Sequence, residues 1–546
     1  MVVRPPGRHQ LTARVQPAGI GSGTRRADPR SVSWRSSLSP TGATITGMST
    51  PASRRFVTAA STRWTVLGVV FLWGVFQSTW NLFAANHQTD EPAYQQAAWG
   101  YVHGDLTGNL QHPPTAKWLM GLAELAFGDT VEVARIPVVV LSVLAGVVVF
   151  LWLREDRGWY TGVLGAGMWW VLPRAIVGDP SRIDRLALLD GPMAAFAVAA
   201  LWCAWRWAAG PRSGWDSGRS GIAGHWAWVL AAGVLMGLSV TSKEASAVML
   251  PVFVVLPVLF GRWWALLWGG LVFAAAFAVT FVAVYLPFGA VRTVEYMITF
   301  QSHHDDGGHN VVVAGQVDRF PPWWANLWFE RAGTGAVLSA LLAVAVLLAI
   351  LLRPGRLVLV LVLTTACFLV FFLVVARVAL GEYYFAWTPF VTLLAAIGID
   401  QVARSGPARA GRILAAVLVA GLLATAVQST VTTAHIRRVG LGRVQGVLDA
   451  RGRPHARILS FGFAPSAVSG LFGDRVQIDP GAGPFQAVIV GDDPRYPVPA
   501  TATAFLHQDA GQFRRIRLDT ATLYLPKGEV VRAPDGGLEV EQAPSR

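Results

Sequence analysis

Residues 89–118 read TDEPAYQQAAWGYVHGDLTGNLQHPPTAKW and follow directly on the first long apolar segment of the chain. An acidic pair, Asp90–Glu91, opens the stretch, and His112–Pro113–Pro114 and Lys117 close it. Each proline fixes φ and removes a backbone donor, so His-Pro-Pro is a rigid turn. Tyr94, Trp99 and Tyr101 make the part between amphipathic. A segment that only anchors a membrane has no use for such chemistry, so the stretch reads as a polar loop of an enzyme working at a bilayer face.

The rest of the chain supplies the bilayer. Of 546 residues, 53% are hydrophobic and only 14% are charged, against about 25% charged in a soluble domain. The 23 tryptophans suit rings anchored at headgroup level. A net charge of +13 raises nucleic-acid binding as a class. The arginines, however, sit in the N-terminal tail and in short loops between apolar runs, a pattern of membrane topology, so no nucleic-acid partner is expected. Cys203 and Cys367 both lie in apolar runs, which argues against a disulfide framework.

A crossing helix needs about 20 apolar residues, and about eleven such runs occur. They lie near 64–85, 133–153, 159–176, 187–207, 225–242, 244–261, 263–288, 334–352, 357–376, 387–403 and 412–432. Residues 116–128 are apolar but too short to span, and should lie along the surface. Taken alternately, the inner loops hold Arg154 and Arg157, then Arg206, Arg212 and Arg219, then Arg262, then Arg353 and Arg356, then Arg404, Arg409 and Arg412. This puts the N-terminus in the cytoplasm of a plasma-membrane protein and the C-terminus outside. The expected class is an all-α polytopic membrane protein with a small C-terminal extracytoplasmic α/β domain. Its parts are a disordered basic tail at 1–60, a membrane domain at 61–433 with outer loops at 86–132 and 289–333, and a soluble domain at 434–546. In that last part ARILSFGF (456–463), FQAVIVG (485–491) and TATLYLP (520–526) read as strands. The glycines of Gly19–Gly23 lack a preceding strand and a following helix, so they are no nucleotide loop.

Further candidates lie in the outer loops. Arg182, Asp184, Arg185 and Asp190 crowd SRIDRLALLDGP (181–192). Charges at bilayer depth are costly, so they either serve function or form a bridge such as Arg185–Asp190. Lys243 precedes Glu244 and, with Lys117, Arg182 and Arg185, forms a set of outer cations suited to a phosphate. The alternative is a Lys243–Glu244 pair without a role. SHHDDGGHN (302–310) carries His303, His304, Asp305, Asp306 and His309 in what reads as a mobile, glycine-rich loop. These side chains could contact substrate or hold a divalent metal, although the spacing matches no standard site.

In order along the chain, DEPAY (90–94), HPPTAKWL (112–119), RLALLD (185–190), SKE (242–244), the His304 and His309 loop with GQ (315–316) and a Trp pair, and EYYFAWTPF (382–390) resemble the lipid-phosphate-dependent glycosyltransferases. These are the protein O-mannosyltransferases and the related aminoarabinose transferases of the GT-C fold. The resemblance covers about 85–435 and implies a GT-C-like membrane domain. It also implies a polyprenyl-phosphate sugar donor, with mannose favoured, membrane lipids as surroundings and a protein, lipid or glycan acceptor. On this reading Asp90 is the base, with Glu91 second. Lys243 and Arg185 grip the donor phosphate, supported by Lys117 and Arg182, and His112, His304, His309 and Tyr383 contact substrate. One departure stands out: Glu382 occupies a position where the family often has arginine, so either Arg377 substitutes or the donor lipid is gripped differently. The rival classes are a transporter or flippase for a lipid-linked sugar, which calls for paired charges at mid-depth and two similar halves, and a non-catalytic scaffold presenting 434–546.

Overall fold

The computed structural model describes residues 51–546 apart from Thr89, 211–218, Arg377, 406–407, 480–481, Asp509, Gly528, 533–537 and 542–546. The expectations for the Gly19–Gly23 segment, for most of the 1–60 tail, for Arg212 and for Arg377 lie outside the described residues, as do the side chains of His304 and Asp305. Met1–Ala60 and Ser61–Arg546 are separate units.

Every one of the eleven apolar runs is helical. In chain order the helices are α1 Pro51–Thr79, α2 Glu91–Val102, α3 Thr115–Phe127, α4 Val131–Arg157, α5 Trp159–Val171, α6 Asp190–Ala209, α7 Arg219–Val240, α8 Leu250–Leu259, α9 Trp263–Tyr285, α10 Ala290–Gly307, α11 Ala325–Thr334, α12 Ala336–Leu352, α13 Arg356–Val370, α14 Thr388–Arg404 and α15 Ala408–Ala434. Five segments, within α1, α4, α9, α13 and α15 and their short extensions, are long and apolar enough to cross a membrane; a sixth is added if the bent pair α11–α12 counts as one span. Several of the others are simply too short. At 1.5 Å per residue, the 13-residue α5 reaches only about 20 Å, against a hydrocarbon core of about 30 Å.

Helix α6 is the core of the bundle. It is buried on nearly all sides, with α4 and α7 packed against it, as expected of a helix that is apolar all round. Its first residue is Asp190, so the most enclosed helix begins with a carboxylate. Helices α12 and α14 approach backbone to backbone: a Cβ at Gly398 would collide with the carbonyl of Ala345.

The arginines of the predicted inner loops meet at one end. Arg404 donates to the carbonyl of Arg157, Gln401 to that of Arg353, Arg262 to those of Trp207 and Gly210, and Arg206 pairs with Glu155. Loops that are far apart in sequence but basic alike therefore share one face.

The stretch 289–333 is more ordered than its glycines imply. It holds α10, a hairpin of β1 (Val311–Val313) and β2 (Gln316–Asp318), and most of α11. Helix α3 is amphipathic, burying Ala116, Met120 and Gly121 while exposing Leu122, Leu125 and Phe127.

Beyond α15 a small sheet region follows. Its strands are β3 Ile458–Phe461, β4 Val476–Gln477, β5 Ala487–Gly491, β6 Phe513–Leu518 and β7 Ala521–Pro526, in spatial order β4-β3-β5-β7-β6. Strands β3, β4 and β5 run parallel, and β7 is antiparallel to β5 and β6. With α16 (Val444–Ala450) and α17 (Pro465–Phe472), they bury Ile458, Val468, Ile489 and Leu523. Helix α17 sits on α2 so closely that a Cβ at Gly470 would strike Pro92. Asn86 accepts from the backbone N–H of Val439, and Arg438 reaches Glu132 and the Phe83 carbonyl. The sheet region is thus seated on the segment that carries Asp90.

Candidate active site

Glu91 is fully buried. Arg135 Nε and Nη2 donate to its two oxygens at 2.7 Å each, and the backbone N–H groups of Gln88 (2.7 Å) and Ala187 (2.6 Å) complete the set. Arg135 also donates to the carbonyls of Leu82 and Asn86. A carboxylate accepting four hydrogen bonds has no free lone pair for an incoming proton. Glu91 is therefore a tie between three segments, not a second base. Arg135, which sequence reasoning passed over, is its partner; a lone arginine inside the 133–153 run was the available signal.

Asp90 precedes α2 and is only half-buried. The hydroxyl of Tyr94, one turn on, points at its Oδ2 from 3.5 Å. Tyr94 also stands edge-on to the His112 ring, with centroids 5.6 Å apart. The His-Pro-Pro turn thus packs beside Asp90, as its sequence position promised.

Lys117 has a different task from the one expected. Its ammonium donates to Asn109 O (2.5 Å), Asn109 Oδ1 (3.0 Å) and His112 O (2.9 Å), and lies over the Tyr101 ring at 5.2 Å. All three protons are used. Burial pushes the ammonium well below its usual range, against the pull of Glu244. It pins the turn from within, and hydrogen bonds from Thr115 to Thr241 then tie that turn to the Lys243 segment.

Arg182 also departs from expectation. It donates to both oxygens of Asp184 at 3.0 and 2.7 Å, and Arg174 does the same at 3.1 and 2.7 Å. Burial alone would raise the Asp184 carboxyl, but the two guanidinium groups outweigh it and hold it far below the carboxylate range. All three side chains are sealed from solvent. Arg185 is equally buried and donates to the Trp80 carbonyl, while its Nε and Nη1 lack a partner among the described residues. It does not bridge to Asp190.

Asp190 pairs instead with Lys243, whose Nζ lies 2.8 Å from each carboxylate oxygen. Glu244 faces away and meets Gln301 at 3.3 Å. Both pairings considered from sequence, Arg185–Asp190 and Lys243–Glu244, are thus replaced by Lys243–Asp190, because the turn at 240–243 brings the lysine against the start of α6. The same ammonium lies 4.6 Å from the ring centroid of Tyr383. Beside Tyr383, burial lifts the Glu382 carboxyl to about 8; Lys243 opposes this, and the nearby charges of Asp190 and Asp90 reinforce it. Asp90, Asp190, Lys243, Glu382 and Tyr383 thereby converge from four distant segments. On the Glu244 side of the same turn is a cavity of about 350 Å³ lined mainly by apolar groups, among them Val240, Phe281, Tyr285 and Met297, together with Glu244 and Gln301.

Two of the histidines of the 302–310 stretch are engaged locally. His303 bonds its own helix at Thr299 O, and the His309 N–H donates to Arg319 O. His304 lies in α10. Among the described residues no group of three or more His, Cys, Asp or Glu side chains could hold a metal ion.

Residues 110–301, about a third of the chain, match the family model described as dolichyl-phosphate-mannose-protein mannosyltransferase. No curated protein sequence matches significantly. Among solved structures, ArnT from Cupriavidus metallidurans in the apo state is similar over 85% of this chain and 98% of that one, at 15% identity and a TM-score of 0.54. The same enzyme bound to undecaprenyl phosphate gives 86%, 98%, 14% and 0.54. The archaeal oligosaccharyltransferase AglB from Archaeoglobus fulgidus, in complex with an inhibitory peptide and a dolichol-phosphate, covers 88% of this chain and 74% of its own, at 10% identity and a TM-score of 0.50. The fold is the GT-C fold of these structures, the stretch that matches the family model takes in both the Lys117 turn and Lys243, and the chain is a multi-pass membrane protein.

Proposed function

We propose that the chain transfers a sugar, with mannose favoured, from a polyprenyl-phosphate donor to an acceptor hydroxyl at the extracytoplasmic face, with inversion at the anomeric carbon. The observation that carries this reading is the convergence of Asp90, Asp190, Lys243 and Glu382, with an apolar cavity at the adjoining Glu244. The acceptor hydroxyl loses its proton to Asp90, a step worth roughly 10²–10⁴-fold. Its oxygen attacks the anomeric carbon, and the bond to phosphate breaks. Charge grows on the departing phosphate, and the Lys243 cation, held in place by Asp190, stabilises it. The apolar cavity suits the first isoprene units of the donor. Eleven spans, a cytoplasmic N-terminus and an extracytoplasmic 434–546 domain complete the reading, with that domain seated on the Asp90 segment to present the acceptor. Support for the donor class comes from ArnT, solved with undecaprenyl phosphate, and from AglB, solved with a dolichol-phosphate.

The test is a donor panel. Purified protein in lipid nanodiscs is given labelled mannose, glucose and pentose polyprenyl phosphates together with an envelope acceptor fraction. One donor should lose its sugar to the acceptor, mannose before the others. Inertness toward every polyprenyl-phosphate sugar, alongside turnover of a nucleotide sugar, would overturn the reading.

A further inference from the structure

Glu382 belongs to the cluster but has no part in the base or the cation role. It precedes the single turn Tyr383–Ala386, which sets Tyr383 against the Lys243 ammonium. The charged and titratable groups facing it come from every neighbouring segment. Lys243 stands at the end of the turn after α7, Asp190 at the start of α6 and Asp90 before α2. Tyr94 of α2 and Glu244 complete the surroundings, the latter acting on Tyr383. Glu382 and Asp190 therefore share one ammonium with the Asp90 charge close by, and Asp190 already occupies that ammonium with both oxygens. A donor phosphodiester brings one negative charge, and a second develops as its sugar leaves. A site this acidic accepts that load only when one carboxyl is neutral.

Building on the transferase reading, we propose that Glu382 is a catalytic acid: it holds a proton in the resting site, hydrogen-bonds the donor phosphate through it and yields it as the sugar–phosphate bond breaks. The protonated state at neutral pH agrees with a carboxyl lifted to about 8 by burial. The step balances. The acceptor O–H proton goes to Asp90 while the oxygen bonds the anomeric carbon. The carbon–oxygen bond to phosphate breaks with its electron pair on the phosphate oxygen, and the phosphate takes the Glu382 proton. Glycosylated acceptor and polyprenyl phosphate monoanion result. Glu382 is left ionised beside Lys243 and Asp90 protonated, and one proton moving from Asp90 to Glu382 restores the start.

The experiment measures binding of undecaprenyl phosphate and donor turnover from pH 6 to 9 for the full chain and for Glu382→Gln and Glu382→Asp. Wild-type affinity should fall about tenfold above pH 8, as Glu382 ionises against the phosphate. Glu382→Gln should lose that fall, keep KM for donor within about threefold and lose about 10–100-fold in kcat. Glu382→Asp should regain part of kcat. Normal kcat in Glu382→Gln with the alkaline limb intact would overturn the proposal while leaving the transferase reading untouched. Affinity whose pH dependence vanishes in Glu382→Gln, in a protein that cleaves no donor, would uphold the phosphate contact and overturn the acid step together with that reading.

Discussion

Asp184 and Glu382 are acidic neighbours of one another's surroundings, linked through Tyr384, whose hydroxyl donates to Ala175 beside Arg174. Their circumstances are opposite. Asp184 has two guanidinium groups to itself and no exposure. Glu382 shares one ammonium with Asp190, has the charge of Asp90 nearby, and is partly open. The first arrangement is saturated, so it can hold helices in register but has nothing left to offer a ligand. The second is short of positive charge, so protons there move readily. Perturbed carboxyls in open clusters are where chemistry is found, whereas balanced buried bridges carry structure. The same contrast separates Asp90 from its neighbour Glu91, one half-open and one closed by four donors.

The contrast can be broken most forcefully at its closed side. Asp184→Asn leaves Arg174 and Arg182 as like charges in the interior. That should cost about 3–5 kcal/mol, read as a steep fall in melting temperature or in the yield of folded protein in detergent. Asp90→Asn should do the reverse, keeping the melting temperature while cutting turnover by at least about 100-fold.

Lys243 belongs to both sides and so sharpens the boundary. Lys243→Gln should weaken donor binding and also lower the melting temperature, because Asp190 is left unpaired. Adding Asp190→Asn should restore most of the melting temperature and none of the donor affinity. Recovery of both by the double variant would reduce the pair to a helix bridge. The smallest effect is a pH slope. A carboxyl raised to about 8 in the folded protein keeps a proton that the unfolded chain has lost. Stability from Glu382 is thus full below about pH 4, and is lost as pH rises toward 8. Glu382→Gln should flatten that slope in melting curves between pH 5 and 8.

Much of this was legible from sequence. Each of the eleven apolar runs is a helix, the basic loops that alternation put on one face do touch one another, and the strands at 456–463, 485–491 and 520–526 lie side by side in the sheet. Apolar periodicity and charge placement are local properties, so a single chain displays them. Pairing is not local. Lys243 finds Asp190 across 53 positions, and its neighbour in sequence, Glu244, could not be dismissed without the turn that separates them. Arg135 and Arg174 could have been flagged as cations within apolar runs. Glu382 was visible only as a departure from the arginine of the resembled family, because its environment is made by α2, α6 and the 243 turn rather than by its own segment.

The most direct measurement follows a labelled polyprenyl-phosphate sugar in sealed vesicles containing wild-type protein or Asp90→Asn. Wild-type protein should release polyprenyl phosphate and move the label into acceptor, and Asp90→Asn should leave the donor whole. Intact donor that crosses the bilayer equally well with both proteins would contradict transfer and make the chain a carrier of lipid-linked sugar.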